Sequence, residues 1–237
     1  MDSARKIKPK LYLFDVDLTL ILTAGCGRRA FAKAFQEISG VSQIVEKISM
    51  TGKTDTAILK EALQLGGLTE IGSETENLFW KRYLGYLKRE LNRSKEAQIN
   101  PGIPAILNSL AEDSSCCLGL LTGNIRAGAK IKLEHFGLWS CFPTGGFGDD
   151  DEDRSMVAQI AAARCSQEYN LHFEPENIYV IGDSLLDISC AKAIHAQAVA
   201  VATGVHDYET LQARKPYAVF KNFSNPEPVL KLLKNGA

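Results

Sequence analysis

Four unbroken apolar runs, at residues 11–14, 117–121, 178–181 and 198–201, constrain the fold of this chain more than any other feature. A strand covered on both faces reads as a continuous apolar run, whereas a half-exposed strand alternates. Helical patterns separate the runs, at residues 102–111, 125–136, 154–168 and 185–193. Strand and helix in alternation predict an α/β fold with a doubly wound, Rossmann-like parallel sheet, because parallel neighbours need long crossovers and these run right-handed. A fifth, weaker strand is expected at residues 141–144, ahead of Gly145 and Gly146.

Residues 22–98 break this rhythm. They hold no convincing strand and are amphipathic at helical period, with Phe31, Phe35 and Ile38 on one face of a first helix. A second helix is expected over residues 56–65, ending at Gly66 and Gly67. A third opens with Ser73 and Glu76 spaced as a capping box and carries Phe79, Tyr83 and Leu87 inward. Trp80, Tyr83 and Tyr86 read as packing within the same unit. The expected organisation is therefore an α/β core made of residues 1–21 and 99–237, interrupted by an all-helical insert at residues 22–98.

Twenty-seven basic against twenty-eight acidic side chains leave a net charge of -1, so no overall field recruits nucleic acid or an anionic membrane. No apolar run approaches the ~20 residues a membrane span requires. Six cysteines lack CxxC or zinc spacing, and the basic opening residues are not followed by an apolar signal stretch. A cytoplasmic location with free thiols is the expectation. Neither a monomer nor a homodimer is favoured by the sequence.

Polar chemistry gathers where the runs end, which is where open α/β sheets hold ligands. The first run passes into Asp15-Val16-Asp17-Leu18-Thr19, two carboxylates leaving a buried strand. Such groups are costly unless a cation meets them. The second ends in Thr122-Gly123-Asn124, a hydroxyl and a turn ahead of a helix whose free N–H groups suit a phosphate oxygen. The third ends in Gly182-Asp183, with Asp187 one helical turn on. Asp183 also fits a plain N-cap. Arg154 follows the acidic residues 149–153, with which it could merely pair in solvent.

Taken in order, these elements resemble the haloacid dehalogenase superfamily, in its phosphatase branch with a helical cap, the phosphoglycolate phosphatase-like members. The resemblance covers about the first twenty residues and everything from Pro101 onward. It implies that Asp15 is the nucleophile and Asp17 the general acid and base. Thr122, Gly123 and Asn124 would then bind phosphate and Arg154 would clamp it. Asp15, Asp17, Asp183 and Asp187 would hold Mg²⁺, Asp17 through its main-chain carbonyl, and the insert would be a cap whose Lys53 reaches the substrate. The implied activity is Mg²⁺-dependent hydrolysis of a small phosphorylated metabolite through an aspartyl-phosphate. A sugar-phosphate mutase of the same superfamily, or a member that only binds a phospho-ligand, are the alternatives. Leu18 departs from the glycine common in the family, and Arg154 from the common lysine.

Overall fold

The computed structural model describes residues 8–68 and 71–235, so the basic opening stretch at residues 1–7 lies outside the described residues. In chain order the elements are β1 (Lys10–Phe14), β2 (Ile21–Leu22), α1 (Cys26–Ser39), α2 (Asp55–Leu65), α3 (Ser73–Arg93), β3 (Gln98–Ile99), α4 (Ile103–Ala111), β4 (Cys116–Leu121) and α5 (Arg126–His135). They continue with β5 (Gly145–Gly146), α6 (Arg154–Tyr169), β6 (Ile178–Gly182), α7 (Leu185–Ala193), β7 (Gln197–Val201), α8 (Tyr208–Gln212), β8 (Ala218–Phe220) and α9 (Pro226–Asn235).

Six strands form one parallel sheet in the order β5-β4-β1-β6-β7-β8. Alternation along β1 sends Tyr12 and Phe14 to one face and Leu11 and Leu13 to the other. The first pair joins a core with Ile106, Leu107 and Leu133 from α4 and α5 and Leu233 from α9. The second packs on Val157, Ala161 and Ile188 from α6 and α7. Both faces are covered, which is why these strands read as unbroken apolar runs. Tyr12 anchors α9 by donating its hydroxyl to the Leu233 carbonyl at 2.8 Å.

The weak fifth strand falls later than expected. Residues Trp139–Cys141 form a short 3₁₀ turn, and pairing with β4 is made by Gly145 and Gly146 themselves. The stem of the insert is a two-stranded antiparallel ribbon, Ile21 opposite Ile99 and Leu22 opposite Gln98. Beyond it, α1, α2 and α3 close around their own apolar cluster of Phe31, Phe35, Leu59, Phe79, Tyr83 and Leu87. Phe31 meets Phe79 edge to face at 4.9 Å, and Trp80 stands against Phe79 at 4.7 Å. The predicted capping box at Ser73 is not formed. Gly72 is the N-cap of α3 and no side chain bonds there.

Going outward from β1, the chain reaches β4 and β5 on one side and β6, β7 and β8 on the other. The strand order therefore reverses at β1, and the loops diverging from its carboxyl end open a crevice. Asp15, Thr122 and Asp183 are each the first residue beyond a central strand at this edge.

Candidate active site

Sheet register aligns Phe14 with Leu120 and with Ile181, so the residues after each strand emerge side by side. Asp15 donates its main-chain N–H to the Ile181 carbonyl at 2.9 Å and is fixed in the crevice. Asp15, Asp183 and Asp187 then offer carboxylate oxygens that all lie within 4.8 Å of one another, and all three residues are buried. Burial first, and mutual repulsion second, raise Asp15 and Asp183 well above the ordinary carboxylate range. One oxygen of Asp183, Oδ2, is buried with no hydrogen-bond partner among the described residues. It faces Gly204, where a Cβ would come within 1.7 Å of it. An all-oxygen cluster with an unpaired carboxylate oxygen suits a hard divalent cation such as Mg²⁺.

Asp187 is the most committed of the three. Ser184, not Asp183, is the N-cap of α7, and Asp187 closes a capping box with it. Its Oδ2 accepts from the Ser184 hydroxyl at 2.6 Å and main chain at 3.0 Å. Its Oδ1 accepts from Arg154 at 2.7 Å. Arg154 is buried rather than paired with the acidic residues before it, and it also lies 3.5 Å from Asp15 Oδ1. Burial works against its charge, but Asp187 and Asp15 hold it firmly protonated. Its Nε is buried with no hydrogen-bond partner among the described residues.

Asp17 turns away from this cluster. Its Oδ2 accepts from Asn124 Nδ2 at 2.8 Å and from Lys132 Nζ at 2.5 Å. Asn124 Nδ2 also donates to the Thr122 hydroxyl at 3.0 Å, so the residues after β4 hold Asp17 from below. Thr122 is fully buried behind Asn124. Leu18 adopts a left-handed backbone, φ 64°, a conformation glycine takes without strain. The turn that carries Asp17 is thus held by neighbours against the preference of its own residue. The Leu18 carbonyl accepts from Asn100 Nδ2 at 2.7 Å and from the Thr203 hydroxyl at 2.6 Å.

Insert and core meet over the crevice. A cavity of about 280 Å³ lies between them, with Asp15, Asp17, Asp183 and Arg154 on its floor and Phe31, Met50, Lys53 and Tyr83 among its walls. Tyr83 thus lines the cavity as well as packing within the insert. Lys53 reaches the cavity but pairs with Glu61. The start of α2 docks through Asp55, whose N–H donates to the Gly123 carbonyl at 2.7 Å and whose Oδ2 accepts from the Ile125 N–H at 2.9 Å. Gly123 is required for this approach, since a Cβ there would lie 2.1 Å from the Lys53 carbonyl oxygen. Thr56 adds a bond to the Gly148 carbonyl at 2.7 Å.

Two residues of this site, Lys132 and Asp55, carry no signal in the sequence that singles them out. A lysine in the middle of an amphipathic helix reads as solvent-facing, and Asp55, just ahead of the helix expected over residues 56–65, ends a turn in which only Lys53 stands out.

A family profile described as haloacid dehalogenase-like hydrolase matches residues 12–201. A phosphoglycolate phosphatase of Synechococcus elongatus is 29% identical over 137 residues, 57% of this chain and 61% of its own length, so the chain spans under two thirds of that relative. A Dickeya dadantii protein named "Probable phosphatase IndB" is 23% identical over 218 residues, 92% of this chain and 91% of that one. Among solved structures, β-phosphoglucomutase from Clostridium difficile superposes with a TM-score of 0.70 at 18% identity, covering 91% of this chain and 92% of that one. CbbY from Rhodobacter sphaeroides, in complex with phosphate, gives 0.68 at 18% identity over 92% and 96%. At such identities the structures share the fold. Among the described residues, no helix is long and apolar enough to cross a membrane.

Proposed function

From the premise that the chain belongs to the haloacid dehalogenase-like hydrolase family, we propose that it is a Mg²⁺-dependent phosphatase of a small phosphorylated metabolite, acting through a phosphorylated Asp15. The observation that carries this reading is the pairing of two differently held aspartates at one strand end. Asp15 sits among Asp183, Asp187 and Arg154, while Asp17 sits apart on Asn124 and Lys132. Residues 22–98 are read as the cap and residues 8–21 with 99–235 as the described part of the core.

Asp15 and Asp183 would hold Mg²⁺, with Asp187 and the main-chain carbonyl of Asp17 as further candidate oxygens. The ion would offset the repulsion between a phosphate dianion and an aspartate nucleophile. Arg154 takes a phosphoryl oxygen with its guanidinium. A carboxylate oxygen of Asp15 forms a bond to phosphorus as the bond to the leaving-group oxygen breaks. Asp17 gives that oxygen its proton. In the second half, Asp17 takes a proton from water, the water oxygen attacks phosphorus, and inorganic phosphate departs with Asp15 restored. The cap over the cavity would exclude bulk water while this proceeds, and Lys53 would meet the leaving group by exchanging Glu61 for substrate.

A panel of phosphorylated metabolites, beginning with phosphoglycolate in view of the cyanobacterial relative, tests the proposal with and without Mg²⁺. Phosphate release is expected only with the metal, and Asp183→Asn should weaken Mg²⁺ binding at least ~10-fold by titration calorimetry. Hydrolysis at full rate in excess chelator refutes the metal reading. Turnover that demands a bisphosphate activator and yields an isomeric sugar phosphate makes the protein a mutase instead.

A further inference from the structure

Lys132 is the buried cation that the reaction outlined above leaves unused. It lies on α5 and is 4% exposed. Asp17 Oδ2 lies at 2.5 Å, and the field of Lys132 reaches Asp55 on the cap. It also donates to the Asn124 side-chain carbonyl. Gly27, at the start of α1, lies beside it, where a Cβ would stand 3.5 Å from Nζ, an ordinary contact. Burying a lysine is unfavourable unless strong pairing offsets the lost hydration. Its neighbours Ala129 and Leu133 show that the same helix otherwise packs apolar residues into the core.

The division of labour between the two Asp17 oxygens is informative. Oδ2 accepts two strong donors, from Lys132 and Asn124, whereas Oδ1 has only the Thr23 hydroxyl at 3.4 Å. The side chain of Asp17 is 31% exposed, and Asp17 lines the cavity between cap and core. A carboxylate held by one oxygen keeps the other aimed in a fixed direction. Without the pair on Oδ2 the carboxylate can rotate about its Cβ–Cγ bond and swing about χ1.

We propose that Lys132 is a positioning residue that, with Asn124, fixes Asp17 through Oδ2 so that Oδ1 alone faces the leaving-group oxygen. The proposal rests on the phosphatase reading. It differs from phosphate clamping, the task of Arg154, because Lys132 stands at Asp17 and not at the Asp15 cluster. It predicts an effect confined to steps in which Asp17 moves a proton.

The test compares wild type, Lys132→Met and Lys132→Arg on an alkyl phosphate turned over by wild type and on p-nitrophenyl phosphate, with inorganic phosphate as competing ligand. The alkyl leaving group needs a proton and the nitrophenolate hardly does. Lys132→Met is expected to lower kcat on the alkyl ester by about 100-fold. It should leave the nitrophenol burst rate within about 3-fold of wild type and the inhibition constant of phosphate unmoved. Lys132→Arg keeps a donor on Oδ2 and should recover part of the loss, which also guards against a failure of the methionine variant to fold. In an Asp17→Asn background, Lys132→Met should cost nothing further. A weaker phosphate inhibition constant with kcat intact would make Lys132 a phosphate ligand and overturn the proposal. Equal loss in the single-turnover phosphorylation rate of both esters, or additive loss in the Asp17→Asn background, would likewise overturn it. No turnover of either ester by wild type under Mg²⁺ removes the phosphatase reading itself and this inference with it.

Discussion

Asp55 allows the electrostatics of the cap contact to be tested by folding alone. It is 9% exposed, and burial pushes its carboxyl up to about 6 from an ordinary 3.8. Lys132 and the Ile125 N–H pull the other way without offsetting the burial. Both states are protonated at pH 3, so ionisation there costs folding nothing. Between about pH 3.8 and 6 the unfolded chain ionises while the folded one resists, so Asp55 progressively destabilises the fold. Above about pH 7 both are ionised and the loss is constant. A little over two units at 1.36 kcal/mol each gives about 3 kcal/mol. Asp55→Asn removes the charge and keeps an oxygen to accept from Ile125. Its stability relative to wild type should be unchanged or lower at pH 3.5, rise through the window, and level off above pH 7 at a gain of up to ~3 kcal/mol, less whatever its new N–H groups lose by burial. Urea melts in chelator at half-unit pH intervals read this directly. A difference that stays flat with pH, or an asparagine variant that loses ground as pH rises, refutes the argument that Asp55 is held against its preferred ionisation.

Two other perturbations test backbone geometry. Leu18→Ala truncates the side chain to Cβ and Leu18→Gly removes Cβ as well, and only glycine accepts φ 64° without strain. Thermal melts should place the glycine variant about 1 kcal/mol above the alanine one, the reverse of their usual order, and the usual order would show that the turn is unstrained. Gly123→Ala puts a methyl 2.1 Å from the Lys53 carbonyl oxygen, so the cap segment must withdraw and the Asp55 to Gly123 bond must break. A loss of about 10- to 100-fold in kcat/KM with the fold intact is expected, and wild-type activity would mean that this contact forms only outside the catalytic cycle.

The parts of the fold legible in the sequence are those whose physics is local. β1, β4, β6 and β7 are covered on both faces, so their apolar runs announced them, and α7 follows directly from the Gly182-Asp183-Ser184 turn. β5 was displaced because its two glycines carry no apolar side chains, and its existence depends on the edge of β4. The stem strands β2 and β3 are two residues each and exist only as a pair. Ser73 and Glu76 have the capping-box spacing, yet α3 begins at Ser73 itself and the box does not close. Asp15, Asp17, Thr122 and Asp183 were readable because each ends or follows a recognisable strand. Lys132 was not, because its partner Asp17 lies 115 residues away and only the β1 to β4 pairing brings α5 alongside it.

The same accounting explains why the site needs more than its own side chains. Asp15, Asp17, Asp55, Asp183 and Asp187 crowd one crevice, and the buried cations facing them are Arg154 and Lys132. Each cation is already shared. Arg154 lies between Asp15 and Asp187, while Lys132 pairs with Asp17 and its charge also acts on Asp55, so Asp183 is left with a buried oxygen that has no hydrogen-bond partner among the described residues. Unpaired carboxylates in such a place either keep protons or take a metal. A proton on Asp15 would remove its nucleophilic lone pair from use, so the reaction proposed here is favoured only when a divalent ion displaces protons from the cluster. Metal binding should therefore release protons and strengthen with pH. In the reaction proposed here, Arg154 on one flank and Lys132 on the other would separate a phosphoryl half of the site from a proton-transfer half, so that two aspartates only two residues apart would take different tasks.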